Sequence, residues 1–223
     1  MNVKNRWQAR SRDQIASLVA QDIPEGWCVN LGIGVPTLVA NHVPEGREVI
    51  FHAENGLLGI GPAPDEQHID PWIINAGKQY VSLLPGGSYF HHADSFTMIR
   101  GGHLDLCVLG AYEVSASGDL ANWAKAADDT APAVGGAMDL AVGAKRVWVA
   151  MEHTTRVGAP RIVQQCAYPL TAKGCVKRIY TDLAVLEVRE GRLRVLEMVE
   201  GMSLGDLQNM TDAPLDVAMP ELA

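Results

Sequence analysis

Apolar positions recur along the chain with two alternating periods, which divide it into helices and strands. Ile15, Leu18, Val19 and Ile23 follow Ser11 and Gln14 at helical spacing, with Ser11 and Gln14 placed as a capping box. Pro24-Glu25-Gly26 stops this helix, and Trp27-Cys28-Val29 starts a strand that runs into the glycine turn Asn30-Leu31-Gly32-Ile33-Gly34. A second helix is expected over 37–41. The β-type run Glu48-Val49-Ile50-Phe51 then feeds a glycine-rich turn through Glu54-Asn55-Gly56 to Gly61.

Residues 62–71 are rich in proline and acid and predict a loop, with short strands at 72–75 and 81–84 around Lys78. A helical turn is expected at 94–100, a buried strand at 103–110, and a hairpin at 114–120. Residues 125–132 form a small polar connection. A helix begins at Gly136, and 146–151 is another interior strand. The span 178–199 contains two alternating β segments separated by Glu190-Gly191-Arg192. Ser203 caps a short helix, and the tail 212–223 is expected to be loosely ordered. No repeat or low-complexity linker divides the chain. The pattern predicts α/β architecture: one domain over 1–223, a mixed, mostly parallel sheet, and helices on both faces.

Composition narrows the function classes. A chain of 223 residues with 48% apolar and 20% charged residues can bury a substantial core. Its net charge of −8, without a basic run, argues against nucleic acid or an anionic membrane as partner. No apolar run approaches the ~20 residues of a membrane span, and no apolar segment follows the basic start, as a secretory signal would require. Cys28, Cys107, Cys166 and Cys175 are scattered, without metal or disulfide spacing, so a reduced cytoplasmic protein is expected.

Several residues are candidates for chemistry. Glu54 is a single carboxylate among apolar and glycine residues. It is either a strand-end corner beside Asn55-Gly56 or a nucleophile at the carboxyl end of a strand, where α/β sheets bind ligands. Asn30 reads as a cap for the helix near Pro36, Lys78 as a solvated turn lysine, and Gly135-Gly136 as a close-packed helix start. His91-His92-Ala93-Asp94 resembles a metal cluster but lacks further ligands at useful spacing, so no metal is expected. Glu152-His153 reads as a strand-end pair bonded to backbone, and Arg100 either holds a carboxylate or pins a turn.

Taken together, Glu54-Asn55-Gly56-Leu57-Leu58-Gly59-Ile60-Gly61-Pro62, Ile74-Asn75-Ala76-Gly77-Lys78, Met98-Ile99-Arg100-Gly101-Gly102-His103, Gly118-Asp119-Leu120-Ala121-Asn122-Trp123 and Gly135-Gly136-Ala137-Met138-Asp139-Leu140 form an ordered series. It resembles the class I CoA-transferases, the succinyl-CoA:3-oxoacid group, from about residue 11 to 207. The resemblance implies that Glu54 is the catalytic nucleophile and carries a glutamyl–CoA thioester. It implies that Asn30, Lys78, Gly136 and Ala137 bind substrate or CoA, and that no cofactor beyond the CoA thioester substrate is needed. Members of this group are either one long chain or two separate subunits, and this chain matches only the second half. The resemblance therefore implies the B-type subunit, paired with an A-type subunit that corresponds to the first half, in a heterotetramer. Residues 125–134, His91-His92-Ala93-Asp94-Ser95-Phe96 and Arg178-Ile179-Tyr180-Thr181-Asp182 look like the 3-oxoadipate CoA-transferases of aromatic-ring degradation. That favours 3-oxoadipate over acetoacetate as acceptor. An acyl-CoA hydrolase using the same glutamate is a further alternative.

Overall fold

In the computed structural model, residues 7–126 and 135–217 are described. Helix α1 (Arg12–Asp22) starts as its capping box dictates: Gln14 N–H donates to Ser11 Oγ at 3.2 Å, and Ser11 N–H donates to Gln14 Oε1 at 2.7 Å. Strand β1 (Cys28–Leu31) follows, then a helix at Val35–His42. This second helix takes the tighter 3-10 form, with Gly34 rather than Asn30 at its N-cap. Next come β2 (Ile50–Ala53), β3 (Leu57–Ile60) and β4 (Leu83–Tyr89). Helix α2 (His92–Arg100), β5 (Leu106–Leu109), β6 (Glu113–Ser115) and β7 (Leu120–Ala121) complete the first half. The second half holds α3 (Ala137–Gly143), β8 (Val147–Met151), β9 (Ile162–Val163), β10 (Val176–Thr181) and β11 (Ala184–Arg189). It closes with β12 (Arg192–Met198), α4 (Leu204–Asn209) and β13 (Leu215–Val217).

Ten strands form one sheet in the order β13-β12-β11-β10-β8-β5-β1-β2-β3-β4, and β7-β6-β9 form a small second sheet. The central run β10-β8-β5-β1-β2 is parallel throughout, flanked on each side by antiparallel strands. Central strands are covered on both faces, so their side chains are largely apolar on both, Asn30 of β1 and His52 of β2 being polar exceptions. Along β5, Leu106 and Val108 face one core with Ile15 and Val19 of α1, while Cys107 and Leu109 face the other with Ile99, Leu140 and Leu207. Strand β8 alternates the same way, with Trp148 and Ala150 towards α1 and Val147, Val149 and Met151 towards α2 and α3. The expected α/β layering is therefore present, with helices on both faces.

Four local expectations are corrected. The residues after Glu54 form β3, so Glu54 stands in a hairpin turn rather than a long glycine loop. The run 72–75 is no strand: a single bridge joins Ile74 and Tyr80, and β4 begins only at Leu83. The span 178–199 carries three strands, because Thr181 Oγ1 accepts from Leu183 N at 3.1 Å and Ala184 N at 2.9 Å, closing a tight turn where continuous strand was expected. The tail is ordered as far as Val217. Gln208 donates to the carbonyls of Thr211 (3.1 Å) and Ala213 (3.0 Å), accepts from Leu215 N (3.0 Å), and leads the chain into β13 against β12. Of the expected connection 125–132, all but Lys125 and Ala126 lies outside the described residues.

His153 joins the end of β8 to the segment after α4. It is fully buried, with Nδ1 3.0 Å from Thr181 Oγ1 and Nε2 2.8 Å from Thr211 Oγ1. Thr211 Oγ1 donates onward to Leu207 O at 2.8 Å, so it accepts from Nε2–H; in a neutral ring Nδ1 then accepts from the Thr181 hydroxyl, which also lies within donating distance of Ala184 O at 3.0 Å. Burial pushes the His153 pKa down to about 4, and His52, described below, behaves alike. A group whose folded pKa lies below its unfolded value favours the native state fully above the unfolded value. Stability is therefore expected to fall as pH drops from roughly 6.5 towards 4, by up to ~3 kcal/mol for each ring. Urea unfolding across that range should record the loss. The imidazole resonances of His52 and His153 should hold neutral-ring shifts until pH nears 4.

Candidate active site

Glu54 is the first residue beyond β2. Its turn is closed by Gly56 N–H donating to Ala53 O at 3.0 Å, and Phe90 N–H donates to Gly56 O at 3.0 Å. Gly56 sits at φ +112°, where a Cβ would collide with the Phe90 carbonyl, so the corner needs glycine on both counts. Asn55 fastens the turn to the next loop by donating to Ile74 O at 2.7 Å. Counting by two along the strand, Glu54 follows His52 onto the face that carries α2 and α3.

A cavity of about 360 Å³ opens there, with Glu54 on its wall. Gly32 and Ile33 after β1 form one side, and 109–112 at the end of β5 form the floor with Asn122. The start of α3 (Gly135, Gly136, Ala137) closes the other side. These are the carboxyl ends of adjacent parallel strands, where an open α/β sheet has room for a ligand.

Gly136 is the N-cap of α3 and meets Glu54 directly. A Cβ there would lie 2.5 Å from Glu54 Oε2 and 3.0 Å from both Glu54 Cδ and Phe96 Cζ. Its φ of −88° suits any residue, so space rather than backbone conformation requires the glycine. The first-turn N–H groups of α3, at Gly136 and Ala137, have no acceptor within the helix. Helices α2 and α3 are locked side by side through Arg100 Nε, which donates to Asp139 Oδ1 at 2.7 Å, and Arg100 also lies 5.6 Å above the Phe96 ring. The carboxylate that Arg100 holds is thus the chain's own Asp139, in a bond between two helices rather than within a turn. Burial raises the pKa of Glu54 above the ordinary carboxylate range; His92 opposes the rise and Asp139 adds to it.

Beneath Glu54 lies a buried polar chain. Asn30, 3% exposed, donates through Nδ2 to His52 Nδ1 at 3.1 Å and to His52 O at 3.2 Å. Its Oδ1 accepts a weak bond from Cys107 Sγ at 3.9 Å. With Nδ1 accepting, the proton of a neutral His52 sits on Nε2, which donates to Ser95 Oγ of α2 at 2.9 Å. The ring pKa is lowered to about 4 by burial, in keeping with a neutral ring.

The structure therefore brings Glu54, Gly136 and Ala137 together at one cavity and places Asn30 below it rather than on its wall. Lys78 is exposed, at φ +62°, on the turn where Lys78 N–H donates to Asn75 O at 2.9 Å. It does not line the Glu54 cavity, although the Asn55–Ile74 bond fastens the loop that carries it to the Glu54 turn. His91 caps α2, its Nδ1 accepting from Ala93 N at 3.1 Å, and His92 does not line the cavity but lowers the pKa of Glu54 against the effect of burial. Among the described residues no group of three His, Cys, Asp or Glu side chains is arranged to hold a metal. Nor is any helix among them long and apolar enough to cross a membrane. His153 is bonded to two threonine hydroxyls rather than to backbone carbonyls, and Glu152 pairs with Arg12 at 2.9 Å. From sequence, no individual role was assigned to His52, Ser95 or Phe96. Period-two counting back from Glu54 marks His52, and helical spacing from His92 marks Ser95 and Phe96.

The coenzyme A transferase family model matches residues 12–207. The chain is 57% identical to the B-type subunit of a 3-oxoadipate CoA-transferase from Acinetobacter baylyi over 205 residues, covering 92% of this chain and 94% of that protein. It is 48% identical to the B-type subunit of a succinyl-CoA:3-ketoacid coenzyme A transferase from Helicobacter pylori, covering 93% of this chain and all of that one. Among solved structures, an acyl-CoA transferase from Escherichia coli superposes with a TM-score of 0.72 at 18% identity, over 96% of this chain and 42% of that one. At that identity the superposition speaks for the fold alone.

Gly136→Ala tests the contact that shapes the site. The added methyl suits the backbone, displaces the Glu54 carboxylate and presses more lightly on the Phe96 ring. The variant is expected to melt within a few degrees of the parent and to lose turnover by ~10²-fold, as an ångström-scale misplacement does. Unchanged turnover would show that the contact does not set the reactive geometry.

Proposed function

The chain belongs to the coenzyme A transferase family, and from that premise we propose that it is the B-type subunit of an enzyme that moves CoA from succinyl-CoA to a 3-oxoacid, with 3-oxoadipate the favoured acceptor. The observation that carries the reading is the position of Glu54: a half-buried carboxylate with a raised pKa, at a cavity and in contact with a glycine at a helix start.

A transfer between two acids needs a nucleophile that is itself a carboxylate, because its anhydride and thioester are then close in energy to those of the substrates. Glu54 attacks the succinyl-CoA carbonyl, the C–S bond breaks, and CoA leaves as thiolate, giving a succinyl–glutamyl anhydride. The thiolate attacks the glutamyl carbonyl and expels succinate, leaving a glutamyl–CoA thioester. The acceptor carboxylate displaces the thiolate from that thioester, and the thiolate then takes the acyl group from the new anhydride and restores Glu54. No net proton moves. Burial favours the first attack, since a weakly hydrated carboxylate loses less solvation on bonding.

Each step passes through an oxyanion. The N–H groups of Gly136 and Ala137 are assigned to it, and preorganised donors of this kind are each worth ~3 kcal/mol in other enzymes. Lys78 is assigned to the CoA chain on the family resemblance. Asn30 acts from below, by orienting His52. An A-type subunit, in a heterotetramer with two copies of each chain, is assigned the remaining part of the CoA site. No cofactor is required.

One feature favours a dicarboxylic acceptor. Lys125 Nζ lies 5.2 Å above the ring of Tyr112, which lines the cavity beyond the end of β5. Tyr112 follows β5, two strands from β2, or roughly 10 Å across the sheet. An extended six-carbon diacid spans roughly 6.5 Å at ordinary C–C bond lengths, so with one carboxyl at Glu54 its other end approaches this cation.

Two experiments test these readings. The complex with the A-type subunit is incubated with succinyl-CoA and then borohydride, which reduces a glutamyl thioester to the alcohol. A mass loss mapped to Glu54 is expected, and an unmodified Glu54 with turnover intact would overturn the mechanism. Replacing Lys125 with Ala is expected to raise KM for 3-oxoadipate by ~10-fold and leave that for acetoacetate within ~2-fold, as loss of one charge-assisted contact predicts. Equal effects on both acceptors would remove the case for a diacid.

A further inference from the structure

We propose that His52 is a positioning residue for the Glu54 nucleophile, a neutral bridge that fixes helix α2 against the end of β2 so that Phe96 and Gly136 hold the carboxylate at the cavity wall. The proposal rests on the reading of Glu54 given above and extends it to a residue that touches no substrate.

Two rungs join the strand to the helix. His52 and Glu54 are two residues apart and project to the same face of β2. On α2, His92, Ser95, Phe96 and Ile99 share one side by their three- and four-residue spacing. His52 Nε2 meets Ser95 Oγ at 2.9 Å, both residues being buried. Phe96, the next residue on α2, reaches the same Gly136 that Glu54 Oε2 touches. A shift of α2 on the sheet would therefore open or close the gap that Glu54 occupies.

The ladders of β2 alone do not set that gap. They fix the strand to β1 and β3, with His52 opposite Asn30 and Leu58, but say nothing about the helix above. Ile99 packs α2 into the core through apolar contact, which is non-directional. The His52–Ser95 bond is directional, and Asn30 fixes the ring that makes it. Phe90 stacks on the His52 ring at 6.0 Å, and Cys107 Sγ donates weakly to Asn30 Oδ1 at 3.9 Å.

The test uses the complex with the A-type subunit and measures the rate of Glu54 thioester formation from succinyl-CoA, KM, and the melting temperature. The variants are His52→Ala, His52→Gln, Ser95→Ala, the His52→Ala/Ser95→Ala double, and Glu54→Gln as reference. His52→Ala is expected to slow thioester formation ~10- to 100-fold with KM changed less than ~2-fold. Gln accepts from Asn30 and donates to Ser95, so His52→Gln should recover most of the rate. Ser95→Ala should lose rate with a near-parental melting temperature, and the double should be no slower than His52→Ala, because both changes break one bond. A parental rate in Ser95→Ala, no recovery in His52→Gln, or additive losses would overturn the role of His52; the Ser95→Ala outcome decides even if His52→Ala fails to fold. Thioester formed in Glu54→Gln would instead bring down the reading of Glu54, and this proposal with it.

Discussion

The site depends on a carboxylate pressed against a position that has no side chain. Glu54 Oε2 occupies the space a Cβ of residue 136 would need, so strand end and helix start can approach only because that residue is glycine. The approach has three consequences. It takes the carboxylate partly out of water, which raises its pKa, and it brings N–H groups without helical partners beside that carboxylate. It also sets the helix order, since α3 must lie beside α2 for Gly136 to reach both Glu54 and Phe96. Arg100 and Asp139 fasten the two helices in that arrangement.

The parallel centre of the sheet supplies the rest of the cavity. With β5, β1 and β2 adjacent and pointing the same way, three strand ends open at one edge: the glycine turn at Gly32, the Glu54 corner and the floor at 109–112. Apart from Asn30 and His52, which bond to each other beneath the cavity, their interior residues are apolar on both faces. The cavity is lined by residues at which each strand leaves the sheet, where the backbone turns and a polar side chain is no longer buried on both sides.

That division explains what could be read from sequence. The capping boxes at Ser11 and Ser203, the buried run at β5 and the α3 start after Gly136 depend on local spacing, and all are present. The missed features depend on particular side-chain hydrogen bonds, some local and some between distant segments, which apolar periodicity does not register. Thr181 closes its turn with its own hydroxyl where apolar alternation predicted continuous strand, and Gln208 orders a proline-bearing tail from five and seven residues away. Glu54, Gly136 and Ala137 were legible as members of a family series. Their contact was not, because no spacing rule joins residues 54 and 136. Asn30 was legible as a polar residue at a strand end, but its partner, His52, lies on the neighbouring strand and only the β1–β2 register reveals it.

His52 and His153 use one device at two places on the same sheet face. Each is a buried histidine in or just beyond a parallel strand, lowered to a pKa of about 4, with each ring nitrogen on a side-chain partner. Each ties the sheet to a helical segment, His52 to Ser95 of α2 and His153 to Thr211 just after α4. A neutral imidazole suits the task because it accepts at one edge and donates at the other, bridging two elements that an aliphatic side chain would only pack together. What separates the two is the neighbour along the chain. His153 is flanked by Glu152, which pairs with Arg12 at the surface, so its rigidity serves the fold. His52 is followed two residues later by a carboxylate at a cavity, so the same rigidity acts on the group proposed above as nucleophile.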